Sequence, residues 1–432
     1  MTTPFPVLRL AILGATDAVE STYLPTLTTL KSHFDILALH SSKIETAQHC
    51  QKLFNIPNIT TAPEDILNSV EVDVILNLFP FEYHEKYTIA ALEAGKHVMV
   101  EVPLSMTIHS LRQIRNATTK VVNARSSPGE NTGAPRVFVG CARRYAPCYT
   151  DIFKKELANL DRIHYARCRN IAGPLQIPAH HTNGVNKRNG TNGTNEVNGH
   201  TDTDEFQNLL VDIFGSDDIT PDRVAFCRFL GSLGCHDLSL MRESLGFPDA
   251  VSCVSITEPF YSANFHYTDD SDVDGHPFTL FYEAGVDALP RCDAHLTVYG
   301  ARKTLTVEYD FPHPGEAAGK ERSVKVTVEE MDMGEEQSNG HGDGTAVNGS
   351  GNRNGNGTAT GVVRPRVKRT EYVSTCEEAY NRELRALHSY CTGETGPEVK
   401  TTPEDALNDL RLLHMIFSHY DRQCGTIRTP LG

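Results

Sequence analysis

The stretch VLRLAILGATDAVE, residues 7–20, decides the fold of the first part of the chain. Its apolar and β-branched run over 7–13 predicts a buried strand, and Gly14 begins the turn that leads into a helix. Helix-like segments such as 82–95 separate four similar runs, at 34–40, 72–79, 97–101 and 136–140. Near-continuous apolar strands that alternate with helices are typical of a parallel sheet covered on both faces. We therefore predict a doubly wound α/β domain over residues 1–140.

The pattern changes after residue 140. A helix is predicted at 147–158, and strand-like runs without helices between them follow at 250–258, 278–287, 294–300 and 303–309. Two further helices are predicted at 375–391 and 403–421. Strand runs that follow one another directly favour a largely antiparallel open sheet with helices on one face. Residues 141–432 are therefore predicted to form a second α/β domain.

Two tracts rich in Asn and Gly interrupt the second domain, at 182–203 and 338–361. Their side chains offer almost no apolar surface, so burial cannot offset the entropy lost on ordering them. We predict that both tracts are disordered surface insertions. Without them, the chain of 432 residues has the length of two domains rather than three.

Composition narrows the function classes. The chain has 40 Lys and Arg against 55 Asp and Glu, a net charge of −15, and no Lys/Arg-rich run, which argues against a nucleic-acid partner. Its 11 cysteines are scattered and form no Cys-x-x-Cys pair, as expected in a reducing compartment. The sequence shows no secretory leader and no apolar run long enough for a membrane span. We therefore expect a cytoplasmic protein that acts on a small molecule.

The turn after the first strand points to a nucleotide. A Rossmann dinucleotide-binding domain places Gly-x-Gly-x-x-Gly at this turn, where the backbone approaches a pyrophosphate. Here Gly14 keeps the first glycine, while Thr16 and Val19 stand at the later positions. Gly14 and Thr16 are candidate cofactor contacts, and an ordinary βα turn is the alternative.

The end of the second strand bears on which nucleotide would bind. Sites selective for NAD carry an Asp or Glu there for the ribose hydroxyls, but this chain has His40, Ser41, Ser42 and Lys43. Hydroxyls and a cation can receive a 2′-phosphate, so the sequence favours NADP(H), with NAD(H) as the second possibility. The alternative role for Ser41 and Ser42 is to cap the following helix.

The segment AALEAGKHVMVEVPLSMT, residues 90–107, resembles the Glu-Lys-Pro segment of the Gfo/Idh/MocA oxidoreductases, the family of glucose-fructose oxidoreductase and inositol dehydrogenase. Further similar blocks follow the family order, at 79–84, 137–149, 229–246, 295–308 and 379–394. The resemblance implies a Rossmann domain followed by an α/β domain with the substrate pocket and, in many members, an oligomer interface. It also implies cofactor contacts from Pro80, His84, Glu101 and Pro103.

Two positions depart from the family pattern. The motif lysine is Val102, and the Asp that precedes the family histidine by one helical turn is Ser232, so only His236 of that pair remains. Hydride transfer at an alcohol carbon requires a group that exchanges a proton with its oxygen, and a histidine titrates near neutral pH. His236 is thus the candidate catalytic residue, with Ser232 as a candidate substrate contact. A purely structural histidine is the alternative.

The segment Arg143-Arg144-Tyr145 supplies two more candidates. Tyr145 is a second candidate proton donor, and the guanidinium of Arg144 has the geometry to bind a substrate carboxylate or hydroxyl. A solvent-facing arginine pair is the alternative. Lys96 begins the strand at the end away from the cofactor, so we expect a solvated charge rather than a substitute for the motif lysine.

No metal site is assigned. Residues 270–275, DSDVDG, match the start of a calcium loop, but its twelfth position is Phe281 instead of Glu. Two functions remain open. The first is an NAD(P)-dependent oxidoreductase acting on a sugar, polyol or secondary metabolite, and the second is a catalytically degenerate nucleotide-binding regulator or scaffold. By family analogy we expect a homodimer or homotetramer.

Overall fold

The computed structural model describes residues 6–125, 134–173, 196–197, 200–215, 219–268, 275–289, 292–310, 322–332, 366–393 and 399–426. Most of the first predicted insertion, all of the second and residues 270–274 of the calcium-like loop lie outside them. The described end of the first insertion forms a short antiparallel pair and the start of a helix. The disorder of both insertions stays a prediction.

The first sheet has six parallel strands, in the order β3-β2-β1-β4-β5-β6. They are β1 (Leu8–Leu13), β2 (Phe34–His40), β3 (Asn58–Thr60), β4 (Val74–Asn77), β5 (His97–Glu101) and β6 (Val137–Gly140). The helices between them are α1 (Asp17–Ser21), α2 (Tyr23–Thr29), α3 (Ile44–Phe54), α4 (Pro63–Leu67), α5 (His84–Glu93) and α6 (Ile108–Arg125). This is the strand order of dinucleotide-binding Rossmann domains, and it confirms the predicted fold class.

Both faces of this sheet are buried, which explains the continuous apolar strands. Every residue of β4 and of β6 is buried. Leu10 and Ile12 point to one face, which α2 covers, while Ala11 and Leu13 point to the other, which α5 and α6 cover. The predicted strands match the observed ones to within two residues. The three-residue β3 is too short to give a strand pattern.

The second sheet has eight strands, in the order β10-β11-β12-β7-β13-β14-β15-β16. The strands are β7 (Ile163–Ala172), β10 (Ala250–Thr257), β11 (Phe260–Thr268), β12 (Pro277–Val286), β13 (Cys292–Gly300), β14 (Lys303–Tyr309), β15 (Ser323–Asp332) and β16 (Arg366–Thr375), and the separate pair is β8 (Glu196–Val197) with β9 (His200–Thr201). Only β12 and β7 pair in parallel, so the prediction of a largely antiparallel sheet is confirmed among the described residues. The sequence pattern does not reveal β7, because Arg167 and Arg169 interrupt its apolar run.

Helices cover one face of the second sheet. They are α7 (Lys154–Ala158), α8 (Asp202–Phe214), α9 (Pro221–Phe229), α10 (Cys235–Leu245), α11 (Cys376–Thr392) and α12 (Pro403–Thr426). Leu280 and Leu296 of the sheet pack with Phe226 and Met241 of the helices in one core. Tyr165 and Tyr299 lie on the opposite face, with their ring centroids 5.7 Å apart and more than a third of each side chain exposed. The second sheet therefore has one open face.

The two C-terminal helices also complete the first domain. Leu384 and Leu387 of α11 are fully buried in the core beneath β1, and Ala406 and Leu410 of α12 join the core on the other face of that sheet. The imidazole Nε2 of His388 lies 3.0 Å from the carbonyl oxygen of Pro6. The N-terminal sheet is thus covered partly by the last fifty residues of the chain. Among the described helices, none is long and apolar enough to cross a membrane.

Replacing Leu387 with Ala should destabilise the protein by about 2–5 kcal/mol, because a fully buried leucine leaves a cavity in the core. The matched control is Leu53→Ala on α3, whose side chain is 58% exposed and should cost little. Urea unfolding monitored by circular dichroism measures both. Equal stability of the two variants would show that α11 does not contribute to the N-terminal core.

Candidate functional site

The site lies at the carboxyl edge of the first sheet, at the ends of the adjacent strands β1 and β4, between which the strand order reverses. In open α/β sheets, ligands bind in the crevice at the point where the strand order reverses. Gly14 follows β1 at this edge with a φ of +87°, in the left-handed region that glycine favours. A β-carbon there would lie 2.7 Å from the Phe79 nitrogen and 2.8 Å from the Leu78 oxygen. Only glycine lets the first turn pass this close to the segment after β4.

His40 closes the turn from the side of β2. Its buried ring accepts the Gly14 N–H at Nδ1, at 3.3 Å, and packs on Phe79 with ring centroids 5.0 Å apart. Burial lowers the pKa of His40 to about 4, so the ring stays neutral and keeps Nδ1 free to accept. A neutral histidine therefore stands at the position where NAD-selective sites carry a carboxylate.

The three residues after His40 divide into two groups. The Ser41 hydroxyl is buried and donates to the Ala15 carbonyl at 3.0 Å, so it faces the turn and not a ligand. Ser42 and Lys43 are exposed beside it. The prediction of Ser41 as a phosphate contact is therefore not supported, because its hydroxyl already serves the backbone.

His84 joins the segments that follow β4 and β5. Its Nε2 lies 2.8 Å from the Phe79 carbonyl and its Nδ1 lies 2.7 Å from the Pro103 carbonyl. Burial lowers the pKa of His84, and the two carbonyls oppose that shift because they favour the protonated ring. His84 thus holds Pro103 and the turn at Pro80 together, and their contact with a cofactor stays a prediction.

The second domain meets this edge at the start of α10. The Cys235 thiol lies 3.6 Å from the Val102 carbonyl, which places the next residue, His236, beside the Glu101-Val102-Pro103 segment. A π-helical turn, Leu230–Gly234, precedes α10, and such turns are frequent at functional sites. Gly231 in this turn packs against the ring of Phe81, 2.7 Å from where a β-carbon would stand. The absence of a side chain at Gly231 lets the two domains approach here.

His236 is half-buried, and no hydrogen bond is made by its ring to the residues that the structure describes. Burial, with Arg143 and His84 adding positive charge nearby, lowers the pKa of His236 to about 3. The expectation that His236 titrates near neutral pH is therefore wrong in this environment. A neutral imidazole can still hold a ligand oxygen through its one N–H.

The Ser232 hydroxyl is engaged within its own helix. It donates to the Arg228 carbonyl of the preceding turn at 2.6 Å, and the side chain is exposed. This bond engages the one proton of the hydroxyl within its own helix. The structure therefore gives no support to Ser232 as a substrate contact.

Arg144 is tied into a buried ionic network. Its Nε lies 2.6 Å from Glu243, its Nη1 lies 2.5 Å from Asp405, and its Nη2 donates to the Lys400 carbonyl. The side chain is only 3% exposed. Neither a substrate-binding role nor a solvent-facing arginine pair fits this arrangement. Arg144 instead fastens the segment after β6 to α10 and α12.

Tyr145 is also committed elsewhere. Its hydroxyl lies 3.0 Å from the Thr401 hydroxyl and accepts the Lys400 N–H at 3.2 Å, within the core beneath the first sheet. Burial raises the pKa of this phenol well above its usual value. Because its hydroxyl is engaged by Thr401 and Lys400, we do not retain Tyr145 as a proton donor.

The neighbouring Arg143 is a second buried arginine of this segment. It is buried, forms an ion pair with Asp237 and lies over the ring of Tyr309. It acts electrostatically on both Glu101 and His236. The sequence contains no signal that separates the two arginines, because adjacent residues in a short 3₁₀ turn point in directions that only packing decides.

Glu101 ends β5 at the same edge. Its Oε1 accepts the Tyr23 hydroxyl, and its Oε2 is buried without a hydrogen-bond partner among the described residues. The Tyr23 hydroxyl also lies 3.4 Å from Oε2 of Glu383, a fully buried residue of α11. Burial raises the pKa of Glu101 to about 7 and raises that of Glu383 well above its usual value. Sequence reasoning missed Tyr23 and Glu383, which are far from Glu101 along the chain.

Lys96 is not the solvated charge that the sequence suggests. It is 4% exposed and donates through Nζ to the carbonyls of Ser69 and Val72. It lies at the amino end of β5, away from the candidate site. Among the described residues, no group of three His, Cys, Asp or Glu side chains could hold a metal ion.

Comparisons with known proteins agree with this architecture. Residues 8–124 match the family model described as oxidoreductase family, NAD-binding Rossmann fold, the Gfo/Idh/MocA family. The resemblance seen in the sequence is thus confirmed for this part of the chain.

Curated relatives match over limited regions. D-glucoside 3-dehydrogenase of Escherichia coli is 31% identical over 117 residues, which are 26% of this chain and 32% of that protein. Inositol 2-dehydrogenase of Paracoccus denitrificans is 28% identical over 178 residues, which are 41% of this chain and 46% of that protein. The chain thus spans a third to a half of the length of these oxidoreductases.

Solved structures extend the fold to both domains. An oxidoreductase of Thermotoga maritima superposes with a TM-score of 0.59 at 16% identity, over 95% of this chain and 96% of that one. Biliverdin reductase of Synechocystis, solved with biliverdin and NADP+, gives a TM-score of 0.56 at 14% identity, over 96% and 99%. At such identity the likeness shows a shared fold.

Replacing Gly14 with Ala should destabilise the protein by about 1–3 kcal/mol beyond the cost of positive φ alone, because its β-carbon would overlap the backbone after β4. Gly246→Ala isolates the conformational cost, since Gly246 has a φ of +81° and no atom within 4 Å of its β-carbon position. Thermal unfolding compares the two variants. A Gly14→Ala protein as stable as Gly246→Ala would contradict the close approach.

Proposed function

We propose that the protein is an NAD(P)-dependent oxidoreductase that transfers a hydride to or from a small carbonyl or hydroxyl compound, such as a sugar, a polyol or a secondary metabolite. The match of residues 8–124 to the NAD-binding family carries this proposal. The crevice at the carboxyl edge, with Gly14 in the first turn and the exposed Thr16 hydroxyl after it, suits a dinucleotide. When bound, the nicotinamide supplies or accepts the hydride.

NADP(H) is the proposed cofactor. The carboxyl end of β2 carries no carboxylate that would accept ribose hydroxyls, and Lys43 and Ser42 are exposed there. A cation and a hydroxyl are suited to a 2′-phosphate, which a carboxylate would repel. His40 adds a neutral ring behind them. The chemistry of this set of donors therefore favours the phosphorylated dinucleotide.

His236 is the proposed contact to the reacting oxygen of the substrate. It stands at the junction of the two domains, next to the Glu101-Val102-Pro103 segment, and its ring is uncommitted among the described residues. Since its pKa is about 3, it is neutral over the physiological range and orients the oxygen through an N–H. Arg143 lies close enough to add positive potential where negative charge develops on that oxygen.

A nucleotide-binding regulator or scaffold without turnover is the second candidate. Val102 is an apolar side chain only 5% exposed at the motif-lysine position, and the Ser232 hydroxyl is bonded within its own helix. Two of three family catalytic positions therefore hold no proton-exchanging group that faces the site. Turnover on a carbonyl or alcohol panel distinguishes the two candidates.

A homo-oligomer is proposed through the open face of the second sheet. The central strands β7 and β13 expose Tyr165 and Tyr299 there as adjacent rings. Tyrosine is enriched in protein interfaces, and a broad sheet face is suited to pairing with its own copy. A dimer or tetramer would cover these rings.

Lys43→Glu should weaken NADPH binding at least tenfold while NADH binding changes less, because the new carboxylate repels the 2′-phosphate and can accept ribose hydroxyls. Lys52→Glu, on the helix that Lys43 precedes, makes the same charge change at an exposed position about two and a half turns further on. Nicotinamide fluorescence titrations measure both affinities. Equal loss in the two variants would show that only general charge is sensed.

His236→Ala should lower turnover by about 10²–10⁴-fold, provided that the imidazole orients the reacting oxygen. The control is His109→Ala, an exposed histidine on α6. Nicotinamide absorbance is followed, and it should rise as inositols and D-glucosides are oxidised with NADP+ and fall as their keto derivatives and biliverdin are reduced with NADPH. A His236→Ala enzyme with the wild-type rate would remove this residue from the site.

A further inference from the structure

Two arginines of α9 lie over phenylalanine rings of α8. The guanidinium carbon of Arg223 stands 4.9 Å from the centre of the Phe214 ring, and that of Arg228 stands 4.2 Å from the centre of the Phe206 ring. The face of an aromatic ring attracts a cation and helps to fix the position of the guanidinium. The two arginines can therefore be compared directly, because they share a helix and a kind of packing.

The two arginines differ in their acidic partners. Nη2 of Arg223 donates to Asp421 at 2.7 Å and forms an ion pair with it. Arg228 is half-buried, yet its side chain donates no hydrogen bond to a residue that the structure describes, and its Nη1 is covered without a partner. Glu82 acts on Arg228 electrostatically from beyond ion-pairing distance. Guanidinium groups withdrawn from water are normally paired, so Arg228 requires an explanation.

The packing around Arg228 leads to the candidate site. The Phe206 ring that lies under Arg228 meets the Phe81 ring edge-on, with the centroids 6.0 Å apart. Phe81 in turn packs against Gly231, in the π-helical turn before α10. Because Phe81 follows β4 at the carboxyl edge of the first sheet, Arg228 belongs to the wall that α8 and α9 form beside this edge.

Arg228 and His236 belong to one continuous helical segment. The helix α9, the π-helical turn and α10 follow one another without a break, and His236 comes about two turns after Arg228. The Ser232 hydroxyl donates to the Arg228 carbonyl at 2.6 Å, so the turn between them is held by a side chain without charge. A carboxylate at position 232 would have been a ready partner for the guanidinium.

The other arginines of this junction are already neutralised. Arg143, Arg144 and Arg242 each form an ion pair with a carboxylate, namely Asp237, Glu243 and Asp409. The chain as a whole carries a net charge of −15, so an anionic ligand needs a local cation to hold it. Among the described arginines of the junction, Arg228 is the one whose charge a ligand would neutralise.

We propose that Arg228 binds an anionic oxygen group of the substrate, so that the substrate is a carbonyl or hydroxyl compound that also carries a carboxylate or a phosphate. The inference rests on the proposed oxidoreductase function and names its substrate class. Since Nη1 is enclosed by protein, the ligand contacts the edge formed by Nε and Nη2. Two parallel N–H groups on that edge match two oxygens of a carboxylate or phosphate.

The phosphates of the dinucleotide are a second source of the same chemistry. They are expected at the Gly14 turn and beside Lys43, both in the first domain. Arg228 instead comes from α9 of the second domain. We therefore assign the anionic group to the substrate, and the affinity for NADPH separates the two sources.

The kinetic test uses the full chain, NADP+ and compounds paired by charge, methyl D-glucoside with methyl D-glucuronide and D-glucose with D-glucose 6-phosphate. In wild type, the charged member of at least one pair should have the higher kcat/KM, and that pair tells a carboxylate from a phosphate. Arg228→Met keeps an apolar stem over Phe206 but removes the charge and the donors. It should raise KM for the charged member about tenfold to hundredfold and leave the neutral member within about threefold.

Two further variants complete the comparison. Arg223→Met removes the same charge from the same helix and should change neither KM, because Arg223 is already paired with Asp421. Arg228→Lys keeps the charge without the planar pair of donors, so its loss should be smaller and confined to the charged member. Circular dichroism checks the fold, and Arg228→Lys carries the comparison alone if Arg228→Met does not fold.

Calorimetric titration with D-glucuronate and D-glucose 6-phosphate supplies a readout without nucleotide or turnover. Wild type and Arg223→Met should bind one of these anions equally, and Arg228→Met at least tenfold more weakly, while NADPH affinity stays within about threefold in every variant. Wild-type protein that binds neither anion, unchanged binding in Arg228→Met, or an equal loss of NADPH affinity would overturn the inference. A protein that turns over no member of either pair, yet binds an anion through Arg228, contradicts the proposed function instead.

Discussion

Everything at the carboxyl edge depends on the docking of α11 against the first sheet. This helix begins with a capping box at Thr375 and Glu378 and then buries Leu384 and Leu387 beneath β1. Burying these leucines removes apolar surface from water and fixes the height of the helix against the sheet. Glu383 precedes Leu384 in the same turn of α11, so the docking that buries the leucines also buries a carboxyl group.

The ionic network around Arg144 joins α10 and α12 to the segment after β6. Arg144 and Arg242 share Asp405 of α12, while Glu243 and Asp409 complete the pairs. Charges buried this deeply contribute little net stability, but removing one partner leaves an uncompensated charge. The network therefore specifies one relative position of α10 and α12. That position sets where His236 meets the segment after β5.

Two groups near the position of the motif lysine have shifted pKa values. Val102 fills that position with an apolar side chain, and the adjacent Glu101 is enclosed by Tyr23 and Glu383. Burial raises the pKa of Glu101 toward neutrality, while burial and nearby positive charge lower that of His236. The two pKa values thus shift in opposite directions. Burial disfavours the charged form of each group, and that form is the deprotonated carboxylate for Glu101 and the protonated imidazolium for His236.

The sequence by itself determined the first sheet, since β1, β2, β4, β5 and β6 are buried on both faces and therefore read as continuous apolar runs. It also indicated the oxidoreductase family whose model residues 8–124 match, through the segment at 90–107. It could not separate Arg143 from Arg144 or Ser41 from Ser42, because neighbours in a turn diverge only when packing chooses their directions. The tertiary structure alone joined Tyr23, Glu101 and Glu383, since helix docking brings Tyr23 to residues that are 78 and 360 positions away in the chain.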